Sequence, residues 1–119
     1  NGIRGYIYDK TAPTAKSLQC NTAYAYSTGD LLSVAVVYDE IVNFNNMPAD
    51  PWIETNVGRL SYVSGAGTNV LYFQKVLDAD FDATELTVSK TNITLKDIAG
   101  NTQNSISLKN TAFKYTYYV

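Results

Sequence analysis

The chain has 119 residues, 45% of them hydrophobic, and a net charge of −2. That length is enough for one domain with a core of its own and too short for two. The nine Lys and Arg residues are scattered singly, whereas a nucleic-acid binder clusters them to displace counterions from phosphates. No apolar run approaches the roughly 20 residues of a membrane-spanning helix. The composition therefore argues against a nucleic-acid partner and against direct membrane insertion.

The first residues are predicted to belong to a different unit from the rest of the chain. Residues 3–8 alternate around Tyr6 and Tyr8 and share an apolar, basic, then Tyr-rich pattern with residues 113–118. Pro13 follows, and proline marks a break or the start of an edge strand because it cannot donate to a ladder. We therefore interpret residues 1–13 as the end of a preceding repeat and a linker, and residues 14–119 as one domain. The start lacks the charged-then-apolar pattern of a signal peptide, so we expect a piece of a longer protein.

The remaining chain has the pattern of a β-protein. Short alternating or apolar segments are separated by Gly, Pro, Asn and Asp, which favour turns, and no segment has a helical period. Residues 31–38 form the strongest segment and are expected at the centre of a sheet with both faces covered, and Asp39 and Glu40 are expected to interrupt it. The predicted strands are 15–20, 23–27, 31–38, 41–44, 52–55, 59–64, 70–77, 85–89, 93–96, 106–108 and 113–119. This spacing predicts a sandwich or a barrel.

Four stretches, in this order, resemble the bacterial immunoglobulin-like repeats of large cell-surface and secreted proteins. They are DKTAPT at 9–14, YSTGDLLSV at 26–34 leading to YDEIV at 38–42, YVSGAGTNVLYF at 62–73 and KDIAGN at 96–101. The resemblance implies an all-β, immunoglobulin-like antiparallel sandwich of about seven to nine strands. Such a unit is a non-catalytic spacer or adhesive module outside the cell. Its partners are neighbouring repeats of the same chain and, in the adhesive case, a host or matrix glycan or protein.

The residues that support most enzyme mechanisms are missing. The sequence has no histidine and one cysteine, Cys20. This removes Ser-His-Asp and Cys-His catalysis and also His- or thiolate-ligated metal sites. A glycosidase-like carboxylate pair such as Asp39 with Glu40 remains, but it needs a cleft that so small a domain seldom builds. We therefore expect no catalytic activity, and we interpret Cys20 as a small buried hydrophobe.

Two sets of carboxylates are candidates for calcium, the one cofactor that the sequence suggests. Asp78, Asp80 and Asp82 alternate in one loop and would offer several oxygens to the ion, which prefers carboxylates on a flexible loop. The alternative is a solvated acidic loop, because the glycine and distal Glu of an EF-hand are missing. The second set is Asp9 and Asp97, at a predicted junction between domains.

Aromatic side chains suggest a second function, that of a carbohydrate-binding module. Aromatic rings offer large rigid faces on which sugars stack. In the alternative interpretation these residues cover the sheet and keep their hydroxyls in water. The candidates for glycan binding are Trp52, Tyr115, Tyr117 and Tyr118, and Tyr62 is a further member of the predicted aromatic set.

Overall fold

The computed structural model describes residues 11–20, 25–103 and 105–118. The segment 3–8 and Asp9 lie outside the described residues. The strands are β1 (Ala15–Cys20), β2 (Ala25–Ser27), β3 (Leu31–Phe44), β4 (Trp52–Thr55), β5 (Gly58–Ser64), β6 (Thr68–Val76), β7 (Leu86–Thr91), β8 (Leu95–Lys96), β9 (Thr102–Gln103), β10 (Leu108–Asn110) and β11 (Lys114–Thr116). In this part of the chain no helix is long and apolar enough to cross a membrane.

The strands form a curled antiparallel sheet that makes both layers of a sandwich. One layer has the order β1-β3-β6-β5 and the other β4-β7-β10, and the β4–β5 hairpin joins them. These are the A-B-E-D and C-F-G orders of the immunoglobulin fold. The prediction of an all-β, immunoglobulin-like sandwich is therefore confirmed. Two additions complete the domain: β2 pairs in parallel with β11, and the β8–β9 hairpin pairs with the end of β3.

The core lies between the two layers because alternate residues of each strand point inward. Val34 and Val36 of β3 and Phe73 of β6 are at most 1% exposed. They face apolar side chains of the opposite layer, among them Ile53 and Leu86. Burying each such side chain stabilises the fold by roughly 1.5–3 kcal/mol. Within the described residues every buried side-chain polar atom has a hydrogen-bond partner.

The prediction that Asp39 and Glu40 interrupt a strand was wrong, because β3 runs through them. Between Val37 and Val42 the register with β6 shifts, so a bulge takes up the extra residues without ending the strand. At this bulge the N–H of Asp39 donates to the carbonyl of Thr14 (3.1 Å), and the N–H of Thr14 donates to Asp39 Oδ1 (3.0 Å). The break in the apolar pattern therefore marks the place where the chain is fastened at the start of β1.

Candidate functional site

The aromatic residues near the C-terminus have three different environments. Tyr115 is 0% exposed, and its hydroxyl donates to the carbonyl of Ala79 (2.6 Å). The prediction that Tyr115 binds a glycan was wrong, because a ring enclosed by the core offers no face to a sugar. Tyr117 is half-buried against the core, and Tyr118 is 62% exposed.

Trp52 lies on β4 and stacks with a charged neighbour. The guanidinium carbon of Arg59 lies 4.0 Å from the centre of the indole ring, a cation–π contact. The Nε of Arg59 also donates to Glu54 Oε1 at 3.2 Å. One face of the ring is therefore covered. Because Tyr117 and Tyr118 follow β11, in the separate two-stranded sheet, the structure does not gather the predicted aromatics into one platform.

The three aspartates of the acidic loop have different surroundings. Asp78 accepts a hydrogen bond from Lys75 Nζ (2.8 Å), and this bond, together with the positive charge, holds the pKa of Asp78 below its ordinary value. Asp82 Oδ1 accepts the N–H of Tyr117 (2.8 Å), and Asp80 is exposed. Among the described residues no three metal-ligating side chains come together. Calcium binding stays a prediction for this loop.

Asp97 is 3% exposed and closes the β8–β9 hairpin. Its Oδ1 accepts the N–H of Asn101 (2.8 Å), its Oδ2 accepts the side-chain amide of Asn101 (3.0 Å), and the turn places Gly100 at φ 92°. A carboxylate that satisfies turn donors in this way has a structural role. Asp9, its predicted calcium partner, lies outside the described residues.

Cys20 is half-buried on β1, packed against the core. Burial raises the pKa of its thiol from 9.0 to about 11, because the thiolate loses hydration there. A thiol protonated at neutral pH is a poor nucleophile. These surroundings agree with the interpretation of Cys20 as a small hydrophobe.

We expect 5,5′-dithiobis(2-nitrobenzoate) at pH 8 to label the folded protein about tenfold more slowly than the protein in urea. A pKa of about 11 in place of 9.0 leaves about a hundredfold less thiolate, and the greater nucleophilicity of a more basic thiolate recovers part of that difference. Absorbance at 412 nm measures the rate. Equal rates in the two states would contradict the buried, protonated thiol.

Sequence reasoning missed one surface, the outer face of β1, β3, β5 and β6. Residues 31–38 do lie at the centre of a sheet, between β1 and β6, but the prediction that both faces are covered was wrong. Leu31, Val63, Tyr72 and Val76 are 44–56% exposed on that face, where antiparallel sheets normally present polar residues. We use "outer face" for the outward-pointing residues Ser17, Gln19, Leu31, Ser33, Ala35, Val37, Ser61, Val63, Val70, Tyr72, Gln74 and Val76, a set that leaves out Arg59, an outward-pointing residue of β5 whose charge is paired with Glu54. The signal was in the sequence, since none of these residues is charged.

A depression of about 220 Å³ lies in the outer face. The strand register places Ala35 of β3 directly between Gln19 of β1 and Tyr72 of β6. The small side chains of Ala35 and Ser33 leave the floor low, and the longer side chains of Gln19 and Tyr72 form its walls. The outer face therefore combines a partly exposed aromatic ring, an open depression and uncharged polar groups.

Comparisons of the chain with models of protein families, with curated proteins and with solved structures found no match. The strand order and the surface chemistry are therefore the observations that bear on function. Asp39, one of the carboxylates considered for catalysis, accepts the N–H of Thr14 and therefore has a structural role.

Proposed function

We propose that this chain is a non-catalytic structural module of a bacterial cell-surface or secreted multidomain protein, where it holds neighbouring domains apart. Three observations support the proposal. The strand order is that of the immunoglobulin sandwich. Four stretches resemble bacterial repeats of that class. The whole sequence has no histidine, the commonest general base at neutral pH.

The two ends of the described chain leave the domain at separate points along β3, one near its start and one past its middle, as a spacer requires. The chain is fastened at Thr14 beside Asp39, and Tyr118 donates its N–H to Thr28 Oγ1 (2.8 Å), just before β3 begins at Leu31. The eight residues from Leu31 to Asp39 span roughly 26 Å at the rise of a strand. Domains joined at these two points would follow one another along the strand direction.

The parallel pairing of β2 with β11 is the observation that carries the proposal. Lys114, Tyr115 and Thr116 lie beside Ala25, Tyr26 and Ser27. Tension on the N-terminal side acts first on β1 and, once β1 leaves β3, pulls β2 backwards along its axis, while tension on the C-terminal side pulls β11 forwards. The two strands must slide past each other, so their hydrogen bonds bear the load together instead of opening one by one.

β11 is also held on its other edge. The N–H of Tyr115 donates to the carbonyl of Ala83 (2.7 Å), and the N–H of Ala83 donates to the carbonyl of Tyr115 (2.9 Å). The hydroxyl of Tyr115 lies 3.1 Å from Thr28 Oγ1, beside the turn that follows β2. The C-terminal strand is therefore fixed to two separate parts of the domain.

We expect Thr116→Pro to lower the force at which the domain unfolds in single-molecule pulling from its two ends. Proline at this position removes an N–H from β11 and so weakens the pairing that bears the load. The domain is placed between two reference domains of known unfolding force, and the peak forces are compared with those of the unchanged protein.

Thr102→Pro is the matched control, since it removes an N–H from β9, a strand outside the pairing that is sheared. Melting temperatures separate a mechanical effect from a general loss of stability. The proposal holds if Thr116→Pro lowers the force more than Thr102→Pro at similar melting temperatures. Equal forces for the two variants, or low force in the unchanged domain, would count against a load-bearing spacer.

A further inference from the structure

We infer that the outer face binds an uncharged glycan chain, with the ring of Tyr72 stacked on one sugar and the depression above Ser33 and Ala35 holding it. This site is distinct from the aromatics predicted from the sequence. It is also independent of the spacer proposal, because it uses a face of the sheet rather than the pairing of the end strands.

The outer face combines apolar and hydrogen-bonding groups in adjacent rows. The register places Ser61, Gln74 and Ser33 side by side on neighbouring strands. The next row holds Tyr72, Ala35 and Gln19. Serine hydroxyls and glutamine amides both donate and accept hydrogen bonds. A sugar presents the same mixture, with C–H groups on the faces of its ring and hydroxyls around the edge.

The charge of this surface selects the class of ligand. None of the residues that define the outer face is charged. Arg59 points to the same side of β5 as Ser61, but its charge is paired with Glu54 and its guanidinium stacks on Trp52. An acidic polysaccharide or a phosphorylated ligand would lose hydration on this surface without a partner of opposite charge. The face therefore suits a neutral glycan.

The size of the depression suits part of a long chain rather than a whole small molecule. Pockets that enclose drug-sized ligands have volumes of roughly 300–1,000 Å³, and the depression has about 220 Å³ and is open to solvent. It would seat one sugar ring of a polymer. The remaining rings would extend along the exposed apolar residues Leu31 and Val76, which lie opposite each other in the β3–β6 register.

A second copy of this chain is a weaker candidate for the occupant. The outer face is uncharged, so two facing copies would have no pairs of opposite charge to fix their relative orientation. The depression at its centre would also leave a void between them.

The test uses affinity gel electrophoresis of the whole chain in gels that contain one polysaccharide each. The neutral probes are β-glucan, xyloglucan, arabinoxylan, galactomannan and dextran, and the acidic probes are alginate and polygalacturonate. We expect at least one neutral probe to retard the protein and neither acidic probe to do so. Isothermal titration calorimetry with the strongest probe then gives the association constant.

Two variants locate the site on the outer face. Tyr72→Ala removes the ring, Ala35→Leu fills the depression, and each should lower the association constant at least tenfold. Ile98→Ala is the control, because Ile98 is 85% exposed but lies in the turn of the β8–β9 hairpin, which pairs with the other end of β3 at Asn43 and Phe44. It should leave the constant within twofold. Melting temperatures confirm that each variant is folded.

Three results would overturn the inference. The first is failure of every neutral probe to retard the unchanged protein. The second is binding that survives both Tyr72→Ala and Ala35→Leu. The third is a dimer in sedimentation equilibrium that Tyr72→Ala abolishes, without retention by any polysaccharide, since the occupant would then be a second copy. None of these results affects the unfolding-force test of the spacer proposal.

Discussion

Replacing Gly65 with alanine is expected to lower the free energy of unfolding by at least about 3 kcal/mol. Gly65 begins the β5–β6 turn at φ 120°, a conformation that L side chains rarely adopt. A Cβ there would lie 2.1 Å from the carbonyl oxygen of Val70 and 2.8 Å from the Cα of Leu71. Both contacts are with backbone, so relief requires β6 itself to move. Urea denaturation followed by circular dichroism measures the loss.

Gly67→Ala is the matched control in the same turn. Gly67 has φ 91°, but a Cβ at this position meets no atom within 4 Å. Only the strain of the backbone conformation remains, so we expect a loss of about 1 kcal/mol. Equal losses in the free energy of unfolding for the two variants would show that β6 moves away from the new Cβ without destabilising the domain. That result would contradict the close approach of the turn to Val70.

Sequence alone predicted those strands whose alternation and turns are local. β1 and β4 have the bounds predicted for them, because each is an alternating segment next to a turn-forming stretch. β9 was missed: Thr102 and Gln103 form a two-residue strand with no apolar pattern. Its pairing with β8 follows from the turn that Asp97 and Asn101 close, so the strand depends on side-chain bonds that periodicity does not detect.

The candidate site was less predictable, because exposure depends on contacts between distant parts of the chain. Alternation separates the faces of a strand but does not say which face another layer covers. Tyr115 is enclosed because Thr28 and Ala79, 87 and 36 residues away in sequence, pack around its hydroxyl. Tyr72 was not selected, because residues 70–77 were interpreted only as a strong strand, with no prediction of which face is exposed. The open side became visible only in the assembled sandwich.

Tyr115→Ala is the second substitution for which we expect a large effect, a loss of about 3–5 kcal/mol in the free energy of unfolding. Tyr115 is among the largest fully buried side chains, and its removal leaves a cavity that the surrounding strands only partly fill. It also removes the hydroxyl that donates to Ala79. Because a domain of this size has only about 5–15 kcal/mol of stability in total, the variant should unfold at much lower urea concentrations.

Two further variants separate the ring from the hydroxyl and the core from the surface. Tyr115→Phe keeps the ring but leaves the carbonyl of Ala79 without this donor, so we expect a loss of about 1–2 kcal/mol. Tyr118→Ala should change stability by no more than about 0.5 kcal/mol, because its side chain is 62% exposed and its bond to Thr28 comes from the backbone N–H. From the sequence alone, Tyr115 and Tyr118 are equal candidates for ligand binding. If Tyr115→Ala lowered the free energy of unfolding as little as Tyr118→Ala does, Tyr115 would not be enclosed. Its hydroxyl would then not attach β11 to Ala79.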